Sequence, residues 1–441
     1  MLRFWGTSTA VLLGLAASAQ ANPDGTVPSV GEAGRTFLVH LDYDYESDSA
    51  GVSRETPSST GDGPIGLRKD LKSSLSTHTL TAAADVAIYD NAWLTFGLPI
   101  TIAQSHTVSL ADGVSRDDSS TVESGFLPAA GYDAHDPNTP PGGATMFRGV
   151  TRRGVGELRA GFGVAPMNQA HDDTKPSWKL GAEARIPIGK TERFDEANPG
   201  GETGVSDGVY KLRLWTTVDR RYSWAEGHFE SYWQIPLARR DSSLFQDPGF
   251  GAKNTLPGQQ AGASGGVELY AYQDGANTVG IDLSGGVTAY FEGRDYSELW
   301  EIFSLAGDTR TGGPLILDSD PVMAGVQAMS YPGISNIENY VETRAKIGVR
   351  AHLGPHVQFA ATGEVLWKSD HDITFADAGV DLPTCASGQT AHCETSNNDL
   401  VNPGTVEVNP LHNQAIDLTG QRYRSIENLG VRVGVEALVS F

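Results

Sequence analysis

Apolar and polar residues alternate with a period of two along most of the chain, most clearly at its C-terminal end. Because successive side chains of a β-strand point to opposite faces, this pattern predicts a strand with one apolar and one mixed face. The apolar face consists of Leu429, Val431, Val433, Val435, Ala437, Val439 and Phe441. It is long enough to cross a hydrocarbon layer, which favours a membrane strand. The alternative is a strand of a soluble sheet that ends in Phe by chance.

Eleven earlier segments show the same alternation, which predicts twelve strands in all, with ten or fourteen as the alternatives. An even number brings both ends of a closed barrel to the same side of a membrane. The segments are 37–46, 77–88, 94–102, 158–164, 178–188, 210–218, 229–237, 267–272, 279–292, 341–353 and 357–368.

The predicted connections alternate between short turns and long polar loops. Turns lie near 90, 167–175, 220, 274 and 354, and loops span 47–73, 105–152, 190–207, 239–261, 294–336 and 370–421. Membrane barrels have this arrangement, with short periplasmic turns and long extracellular loops. The predicted fold is therefore an all-β, up-and-down antiparallel transmembrane β-barrel of about twelve strands.

Charged side chains fall almost entirely on the face opposite the apolar one. Arg or Lys facing lipid at the bilayer midplane costs about 2–4 kcal/mol, so these charges are predicted to face the lumen. Basic and acidic residues occupy different arcs, which favours a field across a pore; the alternative is that they pair and fill a narrow lumen. The candidates for contact with a solute are Arg159, Lys179, Arg185, Lys211, Arg213, Glu230, Glu268, Tyr270, Asp282, Tyr290, Arg344, Lys346, Arg350, Glu364 and Arg432.

The N-terminus has the features of a secretory signal peptide, residues 1–21. Arg3 precedes an apolar core, and Ala19-Gln20-Ala21 forms a small-residue cleavage site. Residues 22–34 are predicted to be a short periplasmic lead and residues 35–441 the outer-membrane barrel. In an exported chain, Cys385 and Cys393 predict a disulfide, with a metal pair involving His392 as the alternative.

The net charge of −22 argues against a nucleic-acid partner, whose phosphates require a basic surface. Two matches to G-x-S-x-G, at 204–208 and 262–266, lie in Gly-rich loop or strand-edge sequence without the strand-turn-helix context of a nucleophile. The histidines lack the spacing of metal ligands. No enzymatic activity, cofactor or metal site is predicted.

The closing strand, which ends in Phe, resembles the last strand of bacterial outer-membrane barrels. This resemblance implies that Phe441 is an assembly signal read by the barrel-assembly machinery, and that lipopolysaccharide and the lipid bilayer are partners. Unlike the long-chain fatty-acid channels, which begin with an N-terminal plug, this chain has only a short lead before its first strand.

A second resemblance concerns Gly154-Val155-Gly156-Glu157-Leu158, Ala160-Gly161-Phe162 and the segment from Trp178 to Gly189. They are similar to outer-membrane proteins of the meta-pathway of phenol degradation, a family assigned to transport. The resemblance implies a passive channel for small solutes, aromatic or amphipathic ones among them. The alternative is a non-transporting barrel, either an outer-membrane enzyme or a surface protein that presents its loops.

Overall fold

The computed structural model describes residues 27–30, 36–56, 65–240, 256–306, 332–376 and 413–441. The signal peptide and the cysteine pair lie outside these residues, so both remain predictions. None of the helices in the described residues is long and apolar enough to cross a membrane.

Twelve antiparallel strands close into a barrel, which confirms the predicted fold class and strand number. Each strand pairs with its neighbours in the sequence, and the last pairs with the first from Leu38–Ser440 to Arg54–Tyr423. The strands are β1 (Phe37–Thr56), β2 (Gly66–Tyr89), β3 (Ala92–Leu110), β4 (Leu158–Met167), β5 (Ser177–Ile186), β6 (Val209–Arg221), β7 (Ala225–Arg239), β8 (Gln260–Asp274), β9 (Asn277–Tyr290), β10 (Tyr340–Leu353), β11 (Val357–Lys368) and β12 (Tyr423–Ser440).

The outer surface of the barrel is apolar on every strand. Large hydrophobic side chains remain exposed there, because the alternation turns them away from the lumen. A surface of this kind is stable only in contact with lipid. One example from each strand is Leu41, Ile88, Phe96, Phe162, Trp178, Leu214, Phe229, Leu269, Ile281, Ile347, Phe359 and Val433.

Short turns join the strands at one end of the barrel, as predicted, at 90–91, 168–176, 222–224, 275–276 and 354–356. Asn91 and Gly275 have φ angles of 58° and 59°, the left-handed conformation that tight hairpins require. The start of β1 and the end of β12 also lie at this periplasmic end. There the Phe441 amide donates to the Phe37 carbonyl at 2.8 Å.

The prediction of a loop over 47–73 is wrong for much of its length. β1 continues to Thr56, and β2 already begins at Gly66. The apolar alternation stops near Tyr45 because the outward positions beyond it no longer face the hydrocarbon layer. The Ser, Gly and Asp residues there nevertheless remain in a regular antiparallel ladder.

At the other end, extracellular loops fold over the barrel mouth and form a compact structure, which we call the cap. It comprises the described residues of the loops after β3, β5, β9 and β11. Its helices are α1 (Ser120–Glu123), α2 (Trp300–Ala306) and α3 (Gln414–Asp417), with 3-10 turns at Arg116–Asp118 and, in the loop after β5, Pro199–Gly201. Short strands lie at Tyr132–Asp133, Thr145–Arg148, Arg152–Val155, Gly293–Tyr296, Ile334–Ile337 and His371–Asp372.

The cap has a hydrophobic core of its own, in which Phe126, Phe147, Leu299, Ile302 and Phe303 are at most 1% exposed. This core packs against Val52, Leu71, Val108 and Tyr423 at the outer ends of the barrel strands. Burial of this much apolar surface stabilises the cap on the barrel.

Polar contacts also attach the cap to the wall. Asp70 of β2 accepts hydrogen bonds from the backbone amides of Ser120 and Thr121, both at 3.0 Å, at the N-terminus of α1. Arg54 of β1 lies between the rings of Phe126 and Tyr423. These contacts hold the cap against the outer end of the barrel.

The described part of the N-terminal lead lies inside the periplasmic mouth. Val27 and Ser29 are each 1% exposed, whereas Val30 is 45% exposed. Val27 packs against Trp93 and Ala165 on the inner wall. These residues narrow the mouth from within.

Candidate functional site

Two cavities lie one above the other in the lumen. The inner chamber, on the periplasmic side, has a volume of about 150 Å³, and the outer chamber, beneath the cap, about 160 Å³. Thr79 and Arg159 line both chambers, so the cavities adjoin at these residues. The lumen therefore contains two adjoining chambers, one beside the lead and one beneath the cap.

The predicted lumen residues separate into two groups. The inner chamber is lined by Arg159, Lys179, Lys346, Glu364 and Arg432, and the outer chamber by Arg159, Lys211 and Tyr290. Neither of these two cavities is lined by Arg185, Arg213, Glu230, Glu268, Tyr270, Asp282, Arg344 or Arg350. That any of them binds a solute remains a prediction.

The basic arc of β4, β5 and β6 is compensated by carboxylates of the same and adjoining strands. Arg159 lies 3.1 Å from Glu157, and Arg185 lies 2.9 Å from Glu183. Arg213 lies 2.6 Å from Glu230, and Lys179 lies 3.1 Å from Asp219. These pairs neutralise much of the arc locally.

The second basic arc is compensated in the same way. Arg350 pairs with Glu268, Arg344 lies 3.8 Å from Glu364, and Lys346 lies 4.0 Å from Asp282. The Tyr270 hydroxyl donates to Glu226 at 2.7 Å. The lumen thus has features of both alternatives, the open pore and the filled interior, because its charges pair and two cavities nevertheless remain.

The outer chamber contains a stack of aromatic rings. The centroids of Tyr290 and Tyr340 are 4.4 Å apart with an angle of 7° between the rings. His371 stacks on the other side of Tyr340 at 4.2 Å. Tyr290 thus already has an aromatic partner, and all three residues of the stack line the chamber.

A buried polar cluster joins the cap to the barrel wall. Glu301 of α2 lies 2.7 Å from Nδ1 of His106 and 2.9 Å from Nη2 of Arg152. On the far side of the imidazole, Nε2 lies 3.1 Å from the Ser73 hydroxyl. Ser73, His106 and Glu301 thus have the order and spacing of a nucleophile, a base and an orienting carboxylate.

The space beside this cluster is too small for an organic substrate. The adjacent cavity, lined by His106, Arg152 and Glu301, has a volume of about 10 Å³. That volume suits roughly one water molecule. With Glu301 only 1% exposed, the cluster acts foremost as an attachment of α2 to β3.

The pKa values of the buried carboxyl groups in the loops are shifted in different directions. Burial raises the pKa of Glu192 to about 7 despite the nearby Arg152, and burial together with Asp207 raises the pKa of Asp295 to about 7. For Glu301, burial acts in the same direction, but Arg152 and the His106 hydrogen bond hold its pKa below the ordinary value. Glu301 is therefore charged when the other two begin to take up protons.

The cap should be more stable near pH 5.5 than near pH 8. The closed form binds protons at Glu192 and Asp295 more tightly than an opened form, in which both pKa values are ordinary. The penalty for burying two charges is full above pH 7 and falls as the pH drops toward about 5. Hydrogen exchange at α2, corrected for intrinsic rates, should be slower at the lower pH. Asp295→Asn should reduce this difference, and equal protection at both pH values would contradict the assignment.

Several lining residues were not among the sequence candidates. Trp93, Asp42 and Asp44 line the inner chamber, and their inward positions follow from the alternation alone. Glu192 and Asp295 line the outer chamber but come from loops, where no periodicity applies. Among the described residues, no group of three or more His, Cys, Asp or Glu is placed to hold a metal ion.

No family model matches the chain, and no curated protein matches it. The predicted resemblance to the phenol-degradation proteins therefore stays a prediction.

Many solved structures are similar to this chain, among them the following three. An outer membrane channel from Pseudomonas putida F1 has 10% identity and a TM-score of 0.40, covering 92% of this chain and 96% of that chain. A Pseudomonas aeruginosa FadL homologue has 11% identity and a TM-score of 0.32, covering 92% and 90%. A mutant of the TodX monoaromatic hydrocarbon channel has 9% identity and a TM-score of 0.32, covering 92% and 90%. At these identities and TM-scores, the similarity does not indicate a substrate for this chain.

Proposed function

We propose that this protein is an outer-membrane channel for the passive uptake of small solutes, with aromatic and amphipathic molecules among them. The observation that carries the proposal is the pair of adjoining chambers at Thr79 and Arg159. A barrel whose interior served only as structural filling would bury its charges without leaving two cavities in series along its axis.

Both ends of this path are covered by parts of the chain that lie outside the twelve barrel strands. The lead contributes Val27 and Pro28 to the periplasmic mouth, and the cap covers the extracellular mouth. The pairing that closes the barrel runs between its twelve strands, and short strands of the cap add pairings to β3 and β12 at their outer ends. A solute passes through the lumen only when the lead and the cap move, while the barrel strands stay in place.

Val27→Asp should increase the single-channel conductance or open probability in planar bilayers by several-fold. Val27 is 1% exposed against Trp93 and Ala165, and an unpaired carboxylate is strongly disfavoured in such a position. The lead should therefore leave the mouth. The matched control is Val30→Asp, which places the same charge at a residue that is 45% exposed. Bilayers that stay silent with wild type and both variants would overturn the channel proposal.

The Ser73–His106–Glu301 arrangement supports a second candidate, an outer-membrane hydrolase. That activity requires the Ser73 hydroxyl to be reachable, although Ser73 is 2% exposed. A fluorophosphonate probe distinguishes the two functions. The channel proposal expects no labelling, whereas labelling that is lost in Ser73→Ala would support the hydrolase.

A further inference from the structure

The inner chamber has an acidic wall formed by four neighbouring strands. Asp42, Asp44 and Glu46 occupy successive inward positions of β1, and Asp85, Glu364 and Glu436 come from β2, β11 and β12. The basic groups on this side are Lys346, Arg432 and His40, while Arg159 and Lys179, which also line the chamber, pair with Glu157 and Asp219. Carboxylates outnumber cations even if the imidazole is protonated.

The cations on this wall are already engaged by particular carboxylates. Arg432 lies 2.6 Å from Glu46 and 3.3 Å from Glu364. His40 lies 3.3 Å from Asp85 and 3.6 Å from Glu436. Lys346 is directed at Asp282 on β9.

The ion pairs described above do not include Asp42 or Asp44. Among the described residues, neither carboxylate has a basic group within the 4.0 Å of a salt bridge, and Oδ1 of Asp42 is a buried atom with no hydrogen-bond partner. Charged groups held away from water without a partner are costly, so a cation that reached them would be stabilised. An anion would meet like charge in the same place.

Another part of the wall of the inner chamber is aromatic. The indole of Trp93 lies over Gly163 of β4, and the indole of Trp215 lies over Gly181 of β5. Side chains at these glycines would occupy the positions of the rings, since a Cβ at Gly163 would be 2.3 Å from Trp93 and one at Gly181 2.6 Å from Trp215. The two ring centroids are 6.4 Å apart. The rings are inclined to each other by 39°, and both indoles line the same chamber as Asp42 and Asp44.

We infer that the inner chamber binds a positively charged aromatic solute, an arylalkylammonium ion, with its ring at Trp93 and Trp215 and its ammonium group at Asp42 and Asp44. The inference rests on the proposed function and names its substrate class. The volume of about 150 Å³ suits a single ring, since an apolar cavity of about that size holds benzene. The ammonium group supplies three donors to carboxylates that lack them, and the indole faces attract a nearby cation.

Titration calorimetry of the purified full-length barrel in detergent tests the inference with a matched pair of probes. The 2-phenylethylammonium ion and the 3-phenylpropionate ion are similar in size and opposite in charge. The ammonium ion should bind at least ~10-fold more tightly, the difference expected for a charge-assisted contact against a like-charge one. Asp42→Asn combined with Asp44→Asn should weaken its binding ~10-fold or more. Asp172→Asn with Asp173→Asn, the same charge change in a periplasmic turn, should leave the affinity unchanged.

Equal affinity for the two ions, or undiminished ammonium binding in the Asp42/Asp44 variant, would overturn the inference. The wild-type comparison is decisive even if that variant fails to fold. Because calorimetry requires no permeation, failure of the channel proposal can be recognised separately. Ammonium binding by a barrel that does not conduct overturns the channel only, whereas conduction without charge preference in binding overturns this inference only.

Discussion

Glu301→Ala opens the cap while the barrel stays intact. The substitution leaves Arg152, 3% exposed, with a buried charge that has lost its closest carboxylate contact. It also removes the carboxylate that orients His106. Breaking a buried ion pair by removing one partner costs about 3–5 kcal/mol, which is large against the contacts of one short helix. Limited proteolysis should therefore cleave near α2 many times faster in the variant, and the barrel should keep its resistance to SDS.

The control for this experiment is Glu123→Ala, on the exposed surface of α1. It removes the same side chain from the same cap without breaking a buried pair, so its cleavage rate should match that of wild type. If Glu301→Ala and Glu123→Ala were cleaved equally slowly, the cluster would not be what holds the cap.

Gly181→Val is expected to block the inner chamber and destabilise the wall. A Cβ at this position would lie 2.3 Å from the Phe162 carbonyl oxygen and 2.6 Å from the Trp215 ring. The indole must then leave its place over β5 and enter the cavity. Overpacking of this kind typically costs about 1–3 kcal/mol, and a chamber of about 150 Å³ has no room for a displaced indole and a solute together. The thermal midpoint and the conductance should both fall.

Gly363→Val is the matched control on β11, because a Cβ at Gly363 meets nothing within 4 Å. Its midpoint and conductance should remain those of wild type. A Gly181→Val barrel that conducts normally would show that the chamber wall lies off the solute path.

The barrel itself was predictable because a membrane strand shows in the sequence which side faces lipid. Outward residues such as Leu41 and Ile347 must be apolar, and inward ones such as Arg159 are free to be charged. Alternation therefore predicted both the number of strands and the facing of each side chain. It also placed Asp42 and Asp44 in the lumen. It could not predict that the neighbouring cations pair with other carboxylates, because that depends on the geometry of β11, β12 and β2.

The cap was not predicted, since its contacts join segments far apart in the sequence. His106 and Glu301 are separated by 195 positions, and nothing local to either residue indicates the other. One signal was present in the long loop after β9. The run from Leu299 to Ala306 is too apolar for a solvated loop, and its core residues prove to be fully buried.

The most direct test of the central claim, that solutes pass through the lumen, is conductance after modification at the junction of the two chambers. Thr79→Cys places a thiol where the chambers meet, and Leu80→Cys places one on the lipid-facing side of the same strand. A methanethiosulfonate reagent should abolish most of the current through the Thr79→Cys channel. It should leave the Leu80→Cys channel and the wild type unchanged. Current that persists after complete modification of the Thr79→Cys thiol would contradict a path through the two chambers.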